Sequence, residues 1–267
     1  MLATLNGEPL DINDDYISLL LYGYGVYSSF VVSSQQLVLA WDYHVERMQS
    51  DSLHFLGLSI TRDDIVNSVT RFLDLLGTSD DITCRITIFP GDFSLGAPHK
   101  PNSPHLMVTG RSGSSLSGKP LALKLTECDR PYAQYKITNI SAALKRRAEA
   151  KLEGYDDALF TARRRITEGP TWNIFFMTND KIITPPNDGH LLPGVTRRLL
   201  MDIIGTTVVE DVVQVDDLPN FFGAFASNAA IGVVPIQEIS GIKFSHFTSR
   251  IAALQETYKS FPKSTLA

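Results

Sequence analysis

The stretch "TGRSGSSLSGKP" (109–120) interrupts the middle of the chain with a run rich in glycine and serine, in which Leu116 is the only large apolar side chain. Such a run cannot build a core of its own and reads as a connection. It parts the chain into two segments, each with its own strand and helix signals. At 267 residues there is room for two modest domains. The reading is α+β in two domains: a small α/β unit over 1–112, a linker over 113–117, and a larger unit over 118–267. Neither internal repeats nor low-complexity tracts are present.

In the first segment, Asn6-Gly7 within "TLNGEPL" is a hairpin signal. "YGVYSSFVV", "SSQQ" and "LVLAW" read as strand, turn and strand. Asp42 is placed to cap a helix through "YHVERMQSDSLHFLGL", and "TRDDIVNSVTRFLDLLG" is an amphipathic helix ending at Gly77. "ITCRITIFPG" alternates enough for a half-buried strand.

In the second segment, strand "LALKLTEC" is followed by "YKITNISAALKRRAEA", a helix with a lysine just ahead of it. Thr138 and Asn139 can cap that helix, Ile140, Ala143, Leu144, Ala148 and Leu152 form its apolar stripe, and Gly154 sits at its C-terminal end. Lys145, Arg146 and Arg147 are placed on its solvent face. "DALFTA" is a strand, Arg163-Arg164-Arg165 a charged hairpin turn, and "RITEGPTWNIFFMTNDKIITPP" a further strand and hairpin. The helix "VTRRLLMDIIG" and the strands of "FGAFASNAAIGVVPIQEI" complete the pattern.

Composition narrows the function. A net charge of -5 with no dominant basic tract gives nucleic-acid binding little support. Two cysteines, Cys84 and Cys128, are too few and too far apart for a disulfide framework or a zinc site. The apolar stretches fall short of the ~20 residues of a membrane span, and "MLATLNGEPLDINDDY" carries no signal-peptide pattern. The expectation is a soluble cytoplasmic protein acting on a small molecule, without metal.

Several residues suggest chemistry. Lys136 stands at a strand-to-helix junction, apart from the other cations of its helix. Glu168 ends a strand in "ITEG", where an inward carboxylate needs a cationic partner. In "LLPGVTRR", Pro-Gly breaks the chain and Val195-Thr196 begin a helix whose free N–H groups suit an anion. "SNAAIGVVPI" is a turn of small residues that lets a ligand approach the backbone. His44 and Arg47 share one helix face at i, i+3 spacing. Singly, each has a plain reading: a surface lysine, a turn carboxylate, a helix start, a surface arginine and a half-buried, hydrogen-bonded histidine. Their co-occurrence in this order shifts the balance.

Taken together, "YKITN", "RITEGPTWNIFF", "TPPNDGHLLPGVTRRLL" and "SNAAIGVVPI" resemble the fold-type IV pyridoxal-phosphate enzymes, the class IV aminotransferases. The resemblance spans nearly the whole chain. It implies a small α/β sandwich and a larger barrel-like domain with pyridoxal 5'-phosphate in the cleft between them, and a homodimer. By that resemblance Lys136 holds the cofactor as a Schiff base and moves the proton. Glu168 pairs with the pyridine nitrogen, and Arg47 grips the phosphate with the amides of Val195 and Thr196. Many relatives add a threonine hydroxyl where Ala229 stands, so here the Asn228-Ala229-Ala230 backbone serves instead.

Within the family, Tyr27-Ser28-Ser29 and the "SNAAIGVVPI" loop resemble the 4-amino-4-deoxychorismate lyases, which release p-aminobenzoate and pyruvate. Ser29 is then the hydroxyl that helps protonate the departing fragment. The loop "PGDFSLGAP" lacks the arginine of those lyases. The alternative is an amino-acid transaminase, of branched-chain or D-amino-acid type, using 2-oxoglutarate and glutamate. A non-catalytic binding protein of the same fold is a lesser alternative, since Lys136 and Glu168 are intact.

Overall fold

The computed structural model describes residues 2–5, 8–11, 16–77, 80–100, 103–112, 119–244 and 248–266. Its first half contains β1 (Leu2–Leu5), β2 (Glu8–Asp11), α1 (Ile17–Tyr22), β3 (Val26–Val32) and β4 (Leu37–Leu39). It continues with α2 (Trp41–Asp51), α3 (Arg62–Leu76), β5 (Ile82–Pro90) and β6 (Pro104–Ser112). The second half begins with β7 (Leu121–Glu127), α4 (Ser141–Leu152), β8 (Asp157–Ala162), β9 (Arg165–Ile166) and β10 (Asn173–Met177). There follow β11 (Ile182–Thr184), α5 (Val195–Ile204), β12 (Val208–Glu210), β13 (Gly223–Asn228) and β14 (Gly232–Ile239). Last come β15 (Ile242–Lys243), α6 (Thr248–Ser260) and β16 (Lys263–Thr265). The expected turn at Asn6-Gly7 and linker over 113–117 lie outside the described residues. β1 and β2 do pair antiparallel, and 109–112 belongs to β6 rather than to a linker.

Two sheets organise the mixed α+β chain. The first is antiparallel in the order β16-β4-β3-β5-β6. In β3 successive side chains point to opposite faces. Val26, Phe30 and Val32 meet Cys84, Ile86 and Ile88 in a buried cluster with α2 and α3. Tyr27 and Ser29 take the other face, as do their β5 partners Thr87 and Arg85. β5 is buried along its length except at Arg85, not half-buried as its alternation suggests, because both faces are covered. α3 starts with a capping box between Thr61 and Asp64 and ends at left-handed Gly77.

The second sheet follows β12-β11-β10-β13-β14-β7-β8-β9, with β15 on β14. β7 is parallel to both β14 and β8. "NIFFM" of β10 is buried at every position because the sheet is covered on both faces. Phe175 stacks on Phe225 and Phe176 on Phe221, each at 4.8 Å between ring centroids. Burying each such ring contributes roughly 1.5–3 kcal/mol. No helix among the described residues is long and apolar enough to cross a membrane.

Several local expectations are corrected. Left-handed Ala40, not Asp42, caps α2, while Asp42 lies in its first turn and pairs with Arg62 at 2.9 Å. That helix ends at Asp51 and widens into one looser turn, Ser52–Leu56, closed by Gly57. In α4 the capping position is Ile140, and Thr138 instead donates its hydroxyl to the carbonyl of Gly25 at 3.1 Å. Asn139 accepts from the Ser141 amide at 3.4 Å. Ala143 and Ala150 face inward, whereas Leu144 and Leu152 are exposed, so the stripe is narrower than the pattern implies. Arg147 does not face solvent alone: it clamps Asp157 through Nε at 3.0 Å and Nη2 at 2.9 Å. The arginine turn is where the residues place it, with Arg163 and Arg164 both left-handed between β8 and β9.

Candidate active site

The segment carrying Lys136 is stitched onto the first sheet. The Lys136 carbonyl accepts from the Tyr27 amide at 2.9 Å, and the Thr138 amide donates to Gly25 at 2.8 Å. An isolated bridge joins Val26 to Ile137. This lays the lysine in a cleft of about 730 Å³ between the two sheets. Its ammonium sits 4.8 Å from the centre of the Tyr27 ring.

The residue is half-buried, lining the cleft rather than sealed beneath it. Protein nonetheless packs close around the amine and removes much of its water. That desolvation, then the positive charges of Arg47 and Arg130, hold its pKa down to about 7; Glu168 and Asp51 oppose them. A substantial fraction is therefore neutral near pH 7, and a neutral amine is the nucleophilic form.

Glu168 follows β9 and is 4% exposed. Arg130 donates to Oε1 through Nε at 2.8 Å and Nη2 at 2.6 Å, and the Leu192 amide donates to Oε2 at 3.0 Å. Burial pushes this carboxyl up, while Arg130, the Leu192 N–H and Lys136 pull it back. The cationic partner demanded by an inward carboxylate is thus Arg130, a residue that sequence reasoning does not single out. Glycine is required next in the chain, since a Cβ on Gly169 would lie 2.1 Å from the Trp172 ring. The same indole donates to Asp157 at 2.8 Å, linking this turn to the Arg147 clamp.

A row of donors faces the cleft near Lys136. Arg47 gives Nη2 to the Ser28 hydroxyl at 2.5 Å, and its buried Nε has no acceptor among the described residues. Burial lowers this guanidinium to about 10, with Asp51 and Tyr27 opposing, so it stays charged. His44 is fully buried rather than half-buried, with Nδ1 2.8 Å from the Ser28 hydroxyl. Burial, Arg47 and Lys136 hold it neutral. The Ser28 hydroxyl thus joins Arg47 to His44, accepting from the guanidinium and pairing with Nδ1.

α5 begins at Gly194 with no side-chain cap and no acid in its first turn, leaving the Val195 and Thr196 amides open to an anion. A Cβ on Gly194 would lie 2.2 Å from Asn173 Oδ1. The Asn228 side chain shapes its own turn, accepting from the Ala230 amide at 2.9 Å and the Ile231 amide at 2.8 Å. The Ala230 amide is therefore committed within the turn, although Asn228, Ala229 and Ala230 all line the cleft. An uncapped helix start facing a guanidinium with an orphaned buried N–H fits a phosphate group. The residues present accommodate the expected cofactor.

The cleft face of the first sheet, beside Lys136, carries Tyr27, Ser29, Thr83, Arg85 and Arg111. Ser29 makes no side-chain hydrogen bond among the described residues. Arg85 lies with its guanidinium 3.8 Å over the Tyr27 ring and its Nε 3.1 Å from the Thr87 hydroxyl. No carboxylate pairs with it among the described residues, and burial lowers its pKa. Its signal in the sequence is an arginine on the polar side of an alternating strand. All eight predicted site residues, Ser29, Arg47, Lys136, Glu168, Val195, Thr196, Asn228 and Ala229, line this one cleft. No cluster of metal-ligating side chains occurs among the described residues.

Comparison with known proteins follows the same lines. The model of the amino-transferase class IV family matches residues 25–239. The branched-chain amino acid aminotransferase 2 of Humulus lupulus chloroplasts is 34% identical over 110 residues, 39% of this chain and 27% of that protein. The match therefore spans about a quarter of that relative's length. A Methanocaldococcus jannaschii protein provisionally named a branched-chain-amino-acid aminotransferase is 25% identical over 253 residues, 89% of this chain and 87% of that one. Among solved structures, the branched-chain aminotransferase of Thermoproteus uzoniensis superposes with a TM-score of 0.82 at 21% identity, covering 95% of this chain and 91% of that one. A Legionella pneumophila protein provisionally named a 4-amino-4-deoxychorismate lyase gives 0.81 at 22%, covering 94% and 96%.

Proposed function

The chain belongs to the class IV aminotransferases, and we propose that it transfers an amino group between an amino acid and a dicarboxylic 2-oxo acid, 2-oxoglutarate and glutamate being the shared pair. Pyridoxal phosphate, the family's cofactor, supplies the electron sink for the substrate's α-carbon when bound. The chain's own residues do the rest. Arg47 and the Val195 and Thr196 amides take the phosphate, with Asn228 and Ala229 beside it. Glu168 would pair with the pyridine nitrogen, and Lys136 would hold the cofactor and carry the α-proton. Assembly as a homodimer and a cytoplasmic setting carry over from the family into the same proposal.

The observation that carries the transaminase reading is Arg85. A half-buried guanidinium lining the same cleft as Lys136, held by the Tyr27 ring and the Thr87 hydroxyl and with no carboxylate partner among the described residues, lacks an anion. The distal carboxylate of a dicarboxylic substrate supplies one. The resemblance to the lyases expects an arginine in the loop after β5, whereas this one stands within the strand. Arg85→Ala is expected to lower kcat/KM for 2-oxoglutarate by about 10–100-fold, as for a charge-assisted hydrogen bond of roughly 1.5–3 kcal/mol. A branched-chain 2-oxo acid should be little affected. Equal losses on both substrates would refute the role.

Ser29 supports a second reading, the aminodeoxychorismate lyase. Its hydroxyl lines the same wall and is free to reach a departing three-carbon fragment. That reading requires p-aminobenzoate and pyruvate from aminodeoxychorismate, with Ser29→Ala slowing pyruvate release. An inert aminodeoxychorismate alongside active 2-oxoglutarate rejects it.

A further inference from the structure

α2 presents His44, Arg47 and Asp51 at i, i+3 and i+7, one stripe facing β3 and the lysine segment. The first two hold each other through Ser28. Asp51 has no part in the cofactor cradle as assigned above, yet it is 5% exposed. Its Oδ2 accepts the backbone N–H of Lys136 at 3.0 Å, across 85 positions of sequence. The carbonyl of the same residue accepts from Tyr27. The main chain of Lys136 is therefore clamped from both sides, by α2 and by β3.

A neutral acceptor would satisfy one amide, and a buried carboxylate is costly without a charged counterpart. The counterparts are at hand. The groups acting on the Lys136 amine are Arg47 and Asp51 from α2, Tyr27 from β3, Arg130 from the loop after β7, and Glu168 after β9. Buried His44 on α2 is neutral. Burial pushes the Asp51 carboxyl up, while the Lys136 N–H, Arg47, the Lys136 amine and His54 pull it back toward the charged form. Glu168 is already held by Arg130. Asp51 is the acid that remains to offset Lys136 and Arg47 together.

We propose that Asp51 is a positioning residue for Lys136, its carboxylate fixing the lysine's main chain and its charge balancing the paired cations of the cofactor cradle. Placement and charge separate experimentally, because Asp51→Asn keeps an acceptor oxygen and removes the charge. Loss of a nearby negative charge disfavours the ammonium, so the lysine's midpoint falls below that of the wild type. The inference rests on Lys136 being the cofactor lysine.

Competitive acetylation of the cofactor-free protein, read by peptide mass spectrometry at Lys136 from pH 5 to 10, gives that midpoint directly. The wild type should titrate near 7. Asp51→Asn should titrate lower by about one unit or more, roughly a tenfold change in the proton equilibrium. Asp51→Glu, which keeps the charge on a longer arm, should return toward the wild type. If Asp51→Asn does not fold, Asp51→Ser set against Asp51→Glu makes the same comparison. A wild-type midpoint in Asp51→Asn or Asp51→Ser overturns the electrostatic role and leaves a backbone prop. Borohydride after pyridoxal phosphate should label Lys136 in the wild type. Absence of that label overturns the reading of the lysine itself, a result distinct from the failure of Asp51.

Discussion

Glu168→Gln alters the proposed partner of the pyridine nitrogen, yet the structure predicts that it first destabilises the fold. Oε1 receives two N–H groups of Arg130, and Oε2 receives the Leu192 amide. Glutamine offers one oxygen, so whichever way its amide turns, its NH₂ faces another donor. The side chains of Arg130 and Glu168 are 12% and 5% exposed, so little water can replace what is lost. Breaking one side of such a buried pair costs about 3–5 kcal/mol.

Unfolding entropy near 2.1 cal/mol/K per residue over 267 residues makes each kcal/mol worth about 2 °C. The expected fall in Tm of the cofactor-free protein is therefore roughly 5–9 °C, measured by circular dichroism near pH 7. Arg130→Gln should fall comparably, leaving a buried carboxylate unpaired. The double variant should lose less than the sum, with a coupling of about 2 kcal/mol or more. Additive losses, or a Glu168→Gln protein melting within about 1 °C of the wild type, would refute the pair as a structural unit.

Two other perturbations are equally direct. Arg47→Ala removes the guanidinium whose Nε has no acceptor among the described residues, so pyridoxal phosphate should leave on dialysis at least tenfold faster; unchanged retention contradicts a phosphate role. Gly169→Ala forces the Trp172 ring off its place and should destabilise by about 1–3 kcal/mol, with a shifted tryptophan emission; an unchanged melt and spectrum would mean the turn has room to spare.

Part of the site is legible in the sequence because particular residues break their local pattern. Lys136 stands away from its helix's cations, Glu168 ends a strand, and Pro193-Gly194 starts a helix without a cap. Arg85 is visible too, but period-two alternation places it on a polar face without saying that the face lines a cleft. Arg130 and Asp51 are not legible. Each is an ordinary polar residue until tertiary contacts join it to partners 38 and 85 positions away.

The fold shows the same division. Long periodic segments such as α3 are readable with their caps, whereas α1, only six residues long, offers too little pattern. In α6 the spacing of Ile251, Leu254 and Tyr258 carries a usable helical signal that the strand-rich stretch before it obscures. β16 is exposed at all three positions, so only its pairing with β4 identifies it.

That last pairing has a consequence for how the protein is made. β16 emerges from the ribosome after every other described element, yet it covers the outer edge of β4, in the layer that emerges first. Until then a nascent chain carries an open strand edge, the kind of surface that recruits stray strands or chaperones. α2 follows directly from β4 and carries Arg47 and Asp51. Closure of the sheet beside α2 therefore waits for every other described element, and a chain stalled before β16 that has built both cores still lacks the strand that covers the edge of β4.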